Sequence, residues 1–272
     1  MRIYRLSLSC AALLFASLFT GNARAAETLT LAGTGGAMPM AEVIADAYDA
    51  ATGTRIEVIF GVGSGGAIRA LGDGAIDLAI SSRPLKPGEA ELGLTAIAIA
   101  RTPLVFVTSQ GEPDSLASTE LAAIYASPDS RWSDGSPIKI ILRPESDGDT
   151  ALVEEAFPGM QAGFEAARLR PEIPVEATDQ DSAKAAEELQ GSLVQAGYSQ
   201  IVTERRDLRF VPIDGVAPTL DHFEAGDYLY EKVFYLVYSE AGKVGAEGLL
   251  GFLRSAEGQD TLRASGSLPA AE

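Results

Sequence analysis

The stretch from Gly61 to Leu85, GVGSGGAIRALGDGAIDLAISSRPL, decides the fold. It opens with a glycine loop over 61–66, followed by a brief apolar helix predicted at 67–71 and a strand predicted at 76–80. Glycines let the backbone turn sharply between a strand and a helix, and the free amides of the helix N-terminus then face the loop. The stretch is therefore typical of one strand–loop–helix unit of an α/β sheet.

The same order of elements continues on both sides of this stretch. Upstream, we predict a strand at 28–32, a glycine loop at 33–36, a helix at 39–51 that ends before Gly53, and a strand at 55–60. Downstream, strands are predicted at 94–100, 103–108, 138–142, 208–213 and 233–238, with helices between most of them. This alternation predicts an α/β fold with a mostly parallel sheet and helices on both faces.

The N-terminal segment has the features of a secretory signal peptide. Arg2 and Arg5 precede an apolar run that extends to about Phe19, and the small residues Ala23 and Ala25 match the pattern that signal peptidase reads. We therefore predict a signal peptide at 1–25 and a periplasmic protein. An uncleaved N-terminal anchor and a lipoprotein modified at Cys10 are the alternatives; the second is disfavoured because Cys10 precedes most of the apolar run.

Composition excludes several classes of function. The chain of 272 residues has a formal net charge of −17, which disfavours nucleic acid and anionic membranes as partners. Its only cysteine lies in the predicted signal peptide, so we expect no disulfide and no thiolate metal site. With His222 as the only histidine, a histidine-rich metal site or a Ser-His-Asp triad is disfavoured. We expect a monomer without metal or cofactor.

The loop at 61–66 also matches the dinucleotide-binding pattern G-x-G-x-x-G. A Rossmann unit needs a long helix after that loop, whereas Gly72 and Gly74 end the predicted helix after barely two turns. The dinucleotide interpretation is therefore disfavoured.

Three motifs carry a resemblance to a known family. They are Gly33-Thr34-Gly35-Gly36-Ala37-Met38-Pro39, the segment from Gly63-Ser64-Gly65-Gly66 to Ser81-Ser82-Arg83-Pro84-Leu85, and the strand 138–142 running into Arg143-Pro144-Glu145-Ser146-Asp147-Gly148-Asp149-Thr150. Their order and spacing resemble the phosphate-binding proteins of ABC phosphate importers, which belong to the type II periplasmic binding proteins. The resemblance spans nearly the whole chain after residue 25.

The resemblance implies a two-lobed α/β protein in which an anion binds between the lobes. Each lobe would be a mostly parallel sheet flanked by helices. Lobe one would comprise 26–106 plus 236–272, and lobe two 107–235. The segments 103–108 and 233–238 would be the hinge strands that join them.

Oxyanion capture requires converging N–H and O–H donors, and helix N-termini provide them. By resemblance, Arg143 contacts the anion with its guanidinium fork. The other expected ligand-binding residues lie in the two glycine loops and in the turn after Arg143: Thr34, Gly35, Gly36, Ala37, Ser64, Gly65, Ser146, Asp147, Gly148, Asp149 and Thr150.

Asp77 is also expected at the anion by resemblance. A carboxylate repels an oxyanion unless the ligand carries a proton to donate, so Asp77 would select protonated phosphate over sulfate. The alternative for Asp77 is a structural role in capping a neighbouring loop.

The turn after Arg143 departs from the family pattern because Asp147 and Asp149 add negative charge near the expected anion. Two interpretations stay open. One of these carboxylates pairs with Arg143 and turns away from the ligand, or the ligand is a different oxyanion.

The sequence thus predicts a binding protein, not an enzyme, that delivers inorganic phosphate to an ABC permease in the inner membrane. Sulfate, molybdate, tungstate or another phosphorus oxyanion is the alternative ligand. A secreted phosphatase-like hydrolase is disfavoured because no nucleophile–base pair is visible. A sensory or scaffold module on the same fold is a third possibility.

Overall fold

The computed structural model describes residues 28–270, so the predicted signal peptide at 1–25 lies outside the described residues. The strands are β1 Thr28–Gly33, β2 Arg55–Ile59, β3 Leu78–Ser81, β4 Thr95–Thr108, β5 Lys139–Ile140, β6 Ser192–Gly197, β7 Arg209–Val211, β8 Glu231–Tyr238 and β9 Leu268–Pro269. The helices are α1 Met38–Thr52, α2 Gly63–Gly72, α3 Pro87–Ala90, α4 Leu121–Ala126, α5 Gly148–Ala156, α6 Met160–Arg168, α7 Asp179–Glu188, α8 Tyr198–Thr203, α9 Leu220–Ala225, α10 Lys243–Arg254 and α11 Ala256–Ala264.

The strands form one sheet in the order β2-β1-β3-β8-β4-β6-β5, with β7 and β9 also pairing with β4. Pairs β1–β2, β1–β3 and β5–β6 are parallel. The long strands β4 and β8 pair antiparallel with each other and with their neighbours β6 and β3. The predicted α/β fold is confirmed, and β4 and β8 connect its two parallel parts.

Strand β4 is one continuous element where the sequence predicts two strands at 94–100 and 103–108. Its register against β8 shifts between Ala98 and Ala100, which is a bulge. A bulge bends a strand without ending it, so the chain continues from one part of the sheet into the other.

Two groups of buried side chains lie at opposite ends of β4 and β8. The first, core one, packs β1, β3 and β8 against α1 and α10, through residues such as Met40, Leu78 and Leu249. The second, core two, packs the end of β4 against α4, α5 and α6, and the rings of Phe106, Tyr125 and Phe164 meet nearly edge to face. Each core lies beneath a separate set of loops.

Helix boundaries follow the sequence closely, with one informative difference. The helix predicted at 39–51 is confirmed as α1, and Gly53 ends it with φ 73°. Helix α2 begins at Gly63, four residues before the predicted start at Ala67. The first helical turn is therefore the glycine-rich segment itself. Across residues 28–270, the helices all fall short of the length and apolar character needed to cross a membrane.

Candidate anion-binding site

A cavity of about 450 Å³ lies where the loops above core one meet those above core two. Loops after β1, β2 and β3 leave the carboxyl ends of parallel strands, which share one edge of the sheet, and so reach the same place. From the other side, the cavity is lined by the turn 143–149 and by the start of α7. The expected ligand-binding residues that line it are Thr34, Gly35, Ser64, Gly65, Arg143, Ser146, Asp147, Gly148 and Asp149.

Helix α2 points an uncapped N-terminus at this cavity. Gly63, Ser64 and Gly65 line the cavity, and no side chain caps the helix. The first amides of a helix have no partner inside the helix, so they are available to an anion. The hydroxyl oxygen of Ser64 accepts a 3.2 Å hydrogen bond from the Ser82 amide and lies 3.4 Å from the Ser82 hydroxyl oxygen, so one hydroxyl proton of this pair stays free to donate. This edge of the cavity therefore offers several hydrogen-bond donors.

Arg143 is buried, with 3% exposure, and lines the cavity from the opposite side. Its Nη1 donates to the carbonyl oxygen of Glu176 at 2.9 Å, and its Nη2 donates to Asp147 at 2.8 Å. Its Nε has no hydrogen-bond partner among the described residues. A buried guanidinium with a free donor is costly unless a ligand completes it.

Asp147 accepts hydrogen bonds from two donors that the sequence predicted to bind the ligand. One carboxylate oxygen accepts from Arg143, and the other accepts from the Asp149 amide at 3.0 Å and so caps α5. Of the two interpretations left open by the sequence, the structure favours pairing of Asp147 with Arg143. The N-terminus of α5 is therefore already capped by a carboxylate of the protein.

Asp149 forms a buried ion pair with Lys232, which projects from β8. The Nζ–Oδ1 distance is 2.5 Å, and the two side chains are 0% and 5% exposed. Strand alternation directs Lys232 to the face of β8 opposite Val233. Asp149 thus ties the first turn of α5 to the strand that connects the two cores.

Asp179, the first residue of α7, brings a third carboxylate to the cluster. It lies 3.5 Å from Arg143 Nη2. It also packs so tightly against Gly35 and Gly36 that a Cβ on either glycine would crowd its carboxylate. The neighbouring Gln180 donates to the Gly35 carbonyl oxygen at 3.0 Å. The loop after β1 therefore contacts α7 directly.

The charges in this cluster shift the pKa values of its members. Burial raises the pKa of Asp149 to about 6; Lys232 opposes the shift, and the nearby carboxylates Asp179 and Asp147 add to it. For Arg143 and Lys232, burial alone would lower the pKa, but the surrounding carboxylates outweigh it and both values are raised. Three carboxylates and two cations give the cluster a formal charge of −1 when all are ionised.

Asp77 does not reach the cavity, which corrects the expectation that it contacts the anion. Its carboxylate accepts hydrogen bonds from the amide and the hydroxyl of Thr30, both at 2.8 Å. The cavity lies at the carboxyl end of β3 next to Ser82, whereas Asp77 precedes the strand, about 16 Å away at strand spacing. The structural alternative for Asp77 is the one the structure supports.

Three other expected residues also lie outside the cavity lining. Gly36 and Ala37 belong to a short 3-10 turn that leads into α1, and Ala37 is fully buried. The hydroxyl of Thr150 donates to the carbonyl oxygen of Pro144 at 3.1 Å, so it holds the turn after Arg143 in shape. These three residues lie close in sequence to residues that line the cavity, but they do not line it themselves.

Sequence reasoning missed Ser82, Asp179 and Lys232. Lys232 had a visible signal, because it is a cation inside a strongly apolar strand next to Val233 and Phe234. Asp179 had none, since a Thr-Asp start is common to many helices. Ser82 lies inside the second of the three motifs, but Asp77 was the residue expected at the anion from that segment.

The lining combines amides, hydroxyls, the guanidinium groups of Arg83 and Arg143, the ammonium group of Lys86 and several carboxylates, and no histidine or cysteine is among the described residues that border it. Donors suit an oxyanion, and carboxylates suit a ligand that carries a proton. Among the described residues, no group of histidine, cysteine and carboxylate side chains has the arrangement of a metal site.

Comparison with known proteins agrees with this architecture. A candidate phosphate ABC transporter substrate-binding protein with bound phosphate from Clostridium perfringens is 20% identical, with a TM-score of 0.75 over 90% of this chain and 100% of its own. An ABC-type phosphate transport receptor from Vibrio cholerae is 19% identical, with a TM-score of 0.59 over 88% and 99%. At these sequence identities, the comparisons show a similar fold and no more.

A third solved structure is also similar in fold. A reduced form of OxyR from N. meningitidis is 8% identical, with a TM-score of 0.60 over 90% of this chain and 100% of its own. No curated protein matches the sequence significantly. The family model described as PBP superfamily domain matches residues 20–257. The chain therefore belongs to the PBP superfamily.

Proposed function

We propose that this protein is an extracytoplasmic solute-binding protein that captures an oxyanion, with phosphate as the first candidate, for an ABC importer. The single observation that carries the proposal is Arg143, a buried guanidinium at the cavity whose Nε has no partner in the described part of the chain. A tetrahedral oxyanion can accept from this group and from the uncapped N-terminus of α2 at once.

The carboxylates of the cavity narrow the choice of oxyanion. Asp147 and Asp179 border the space that the anion would enter. These carboxylates would repel an anion that has no proton, whereas a protonated phosphate can donate its proton to one of them. The selection of phosphate over sulfate that the sequence assigned to Asp77 therefore belongs to these two residues.

The transport role completes the proposal. The segments 26–106 plus 236–272 and 107–235 act as two lobes that close on the ligand about β4 and β8. The closed form then docks on an inner-membrane permease and releases the anion unchanged. The phosphate-transport proteins that share the fold support this role.

Calorimetric titration of the phosphate-stripped protein with phosphate, and separately with sulfate, tests the proposal. We expect one-to-one phosphate binding and no response to sulfate. Ser64→Ala removes one donor to a charged ligand, which is worth about 1.5–3 kcal/mol, so phosphate affinity should fall roughly 10- to 100-fold. Ser239→Ala is the matched control, since Ser239 lies outside the cavity. Absence of phosphate binding, or equal losses in both variants, would contradict the proposal.

A further inference from the structure

A second cavity of about 650 Å³ adjoins the first. It lies between the segment after β3, the outer face of α5 and the strand β8. Most of its lining residues are apolar or aromatic: Pro84, Ala151, Leu152, Ala156, Leu229, Tyr230, Val233 and Tyr235. Strand alternation explains part of this character, because Val233 and Tyr235 project from the face of β8 opposite Lys232. The charged cluster and the apolar cavity thus use opposite faces of one strand.

The two cavities share a wall. Ser82, Arg83, Gly148 and Ala151 border both of them. At this wall, Gly148 lies so close to Ser82 that an added Cβ would come within 2.9 Å of the Ser82 hydroxyl oxygen. A ligand held at the α2 N-terminus therefore lies next to the apolar cavity, with this wall between the two.

The charged residues of the second cavity are satisfied or face solvent. Arg83 makes two hydrogen bonds to Glu89, each of 2.7 Å, so it is not a free cation. Glu155 is exposed, and Glu231 lies 4.0 Å from Arg101. By contrast, Leu229 borders this cavity and is 76% exposed, so it offers apolar surface to a ligand there. The cavity suits an apolar group.

The volumes of the two cavities also favour a ligand larger than a bare oxyanion. Pockets for organic ligands commonly measure about 300–1,000 Å³. The first cavity alone, at about 450 Å³, lies within that range, although a bare oxyanion has only about five heavy atoms. Inorganic phosphate would fill only part of the first cavity and none of the adjoining one.

We propose that the physiological ligand is an organic phosphorus oxyanion, a phosphate monoester or a phosphonate, whose carbon substituent occupies the cavity between Pro84, α5 and β8. This inference rests on the proposed function, because the anionic head binds at the site already described. It goes further in naming the substrate class and a second subsite. An aryl or branched alkyl substituent matches the tyrosine, leucine and valine side chains of the lining.

Titration of the phosphate-stripped protein with inorganic phosphate, methylphosphonate and phenylphosphonate tests the inference. We expect phenylphosphonate to bind at least about tenfold more tightly than the other two, because its ring removes apolar surface from water. Leu229→Ser should reduce that advantage severalfold and leave phosphate affinity unchanged. Leu169→Ser is the matched control, since Leu169 is 85% exposed and lies away from both cavities.

The outcomes separate the two proposals. If phosphate binds and phenylphosphonate binds no better than methylphosphonate, the second subsite is wrong and the proposed function stands. An unchanged phenylphosphonate advantage in Leu229→Ser would also overturn the subsite. If none of the three ligands binds, the proposed function fails and the inference fails with it.

Discussion

At the scale of single residues, Asp147 is the most consequential position of the site. It holds Arg143 at 2.8 Å and the first turn of α5 at 3.0 Å, both donors that an oxyanion could use. A ligand must therefore share Arg143 with a carboxylate. Since the two negative groups repel unless one is protonated, the residue that pairs with Arg143 would also restrict which anions can enter.

Asp77 gives a prediction at the same scale. Replacing it with alanine removes two 2.8 Å hydrogen bonds to Thr30, which join β1 to the start of β3. One hydrogen bond to a charged group contributes roughly 1.5–3 kcal/mol. Because these two are only partly buried and end on the same carboxylate oxygen, we expect Asp77→Ala to lower the free energy of unfolding by about 1–3 kcal/mol in total. Urea denaturation measures this loss.

The same variant distinguishes a structural role from a binding role. We expect its affinity ratio for phosphate and sulfate to equal that of the wild type, measured by calorimetry on the folded protein. A changed ratio without a change in stability would return Asp77 to the binding site.

At the scale of elements, three helix N-termini meet at the cavity but differ in capping. Asp147 caps α5 and Thr178 caps α7, whereas α2 has no side-chain cap. A capped terminus has fewer free amides to offer. We therefore expect helix α2 to make the largest helix contribution to the proposed anion binding, because its glycine-rich first turn would let a ligand approach the backbone closely.

The glycine at the end of β1 leads to a second prediction. A Cβ at Gly33 would collide with the backbone carbonyl of Ile80, its partner across the β1–β3 pair. Because a shift of the Ile80 backbone is energetically costly, we expect Gly33→Ala to lower the free energy of unfolding by about 1–3 kcal/mol. Thermal or urea unfolding measures the change.

Gly65→Ala is the matched comparison in the other glycine loop. A Cβ there meets nothing within 4 Å, and Gly65 lies inside α2. Alanine favours a helix over glycine by about 1 kcal/mol, so stability should stay constant or rise slightly. Equal destabilisation by the two variants would show that close packing at Gly33 does not set the cost.

At the scale of the whole molecule, β4 and β8 join the two cores, and the Lys232–Asp149 pair lies at that junction. The pair joins the connecting strand to α5 and lies next to Asp179 of α7. Such a buried pair stabilises little against an apolar alternative, but loss of one partner leaves a buried charge unpaired. It therefore favours one arrangement of α5 relative to the connecting strands.

This junction makes stability depend on pH. The pKa of Asp149 is raised from 3.8 to about 6 in the folded state, so between these values the folded protein retains a proton that the unfolded chain releases. Stability from this group is present below pH 3.8 and is lost as the pH rises towards 6. The loss is on the order of 2–3 kcal/mol.

Comparison of the wild type with Asp149→Asn isolates this effect. Urea unfolding at several pH values should show that the difference in stability between them changes across pH 4 to 6 and is flat above it. A pH-independent difference between the wild type and Asp149→Asn would contradict the shift at Asp149.

Glu89 affects stability over a different pH range. Its hydrogen bonds with Arg83 lower its pKa from 4.5 to about 2, so its contribution to stability is lost as the pH falls through that range.

Much of the fold follows from sequence alone because its signals are local. The glycine loops, the apolar strands and the helix from Met38 to Thr52 depend on spacing within a few residues. The three motifs that resemble the phosphate-binding family brought Thr34, Ser64 and Arg143 to one cavity in the structure. Thr34 and Ser64 follow parallel strands whose carboxyl ends share one edge of the sheet, whereas only the resemblance implied that Arg143 lies near them.

Tertiary structure alone decided what those residues contact. Only the folded chain shows that Asp77 faces Thr30, that Asp147 holds Arg143, and that Lys232 reaches Asp149 from a strand over 80 residues away. Sequence determined the order and type of the elements, since those depend on backbone preferences and apolar periodicity. The pairing of buried charges depends on distances between segments far apart in the chain, and these distances exist only once the sheet has formed.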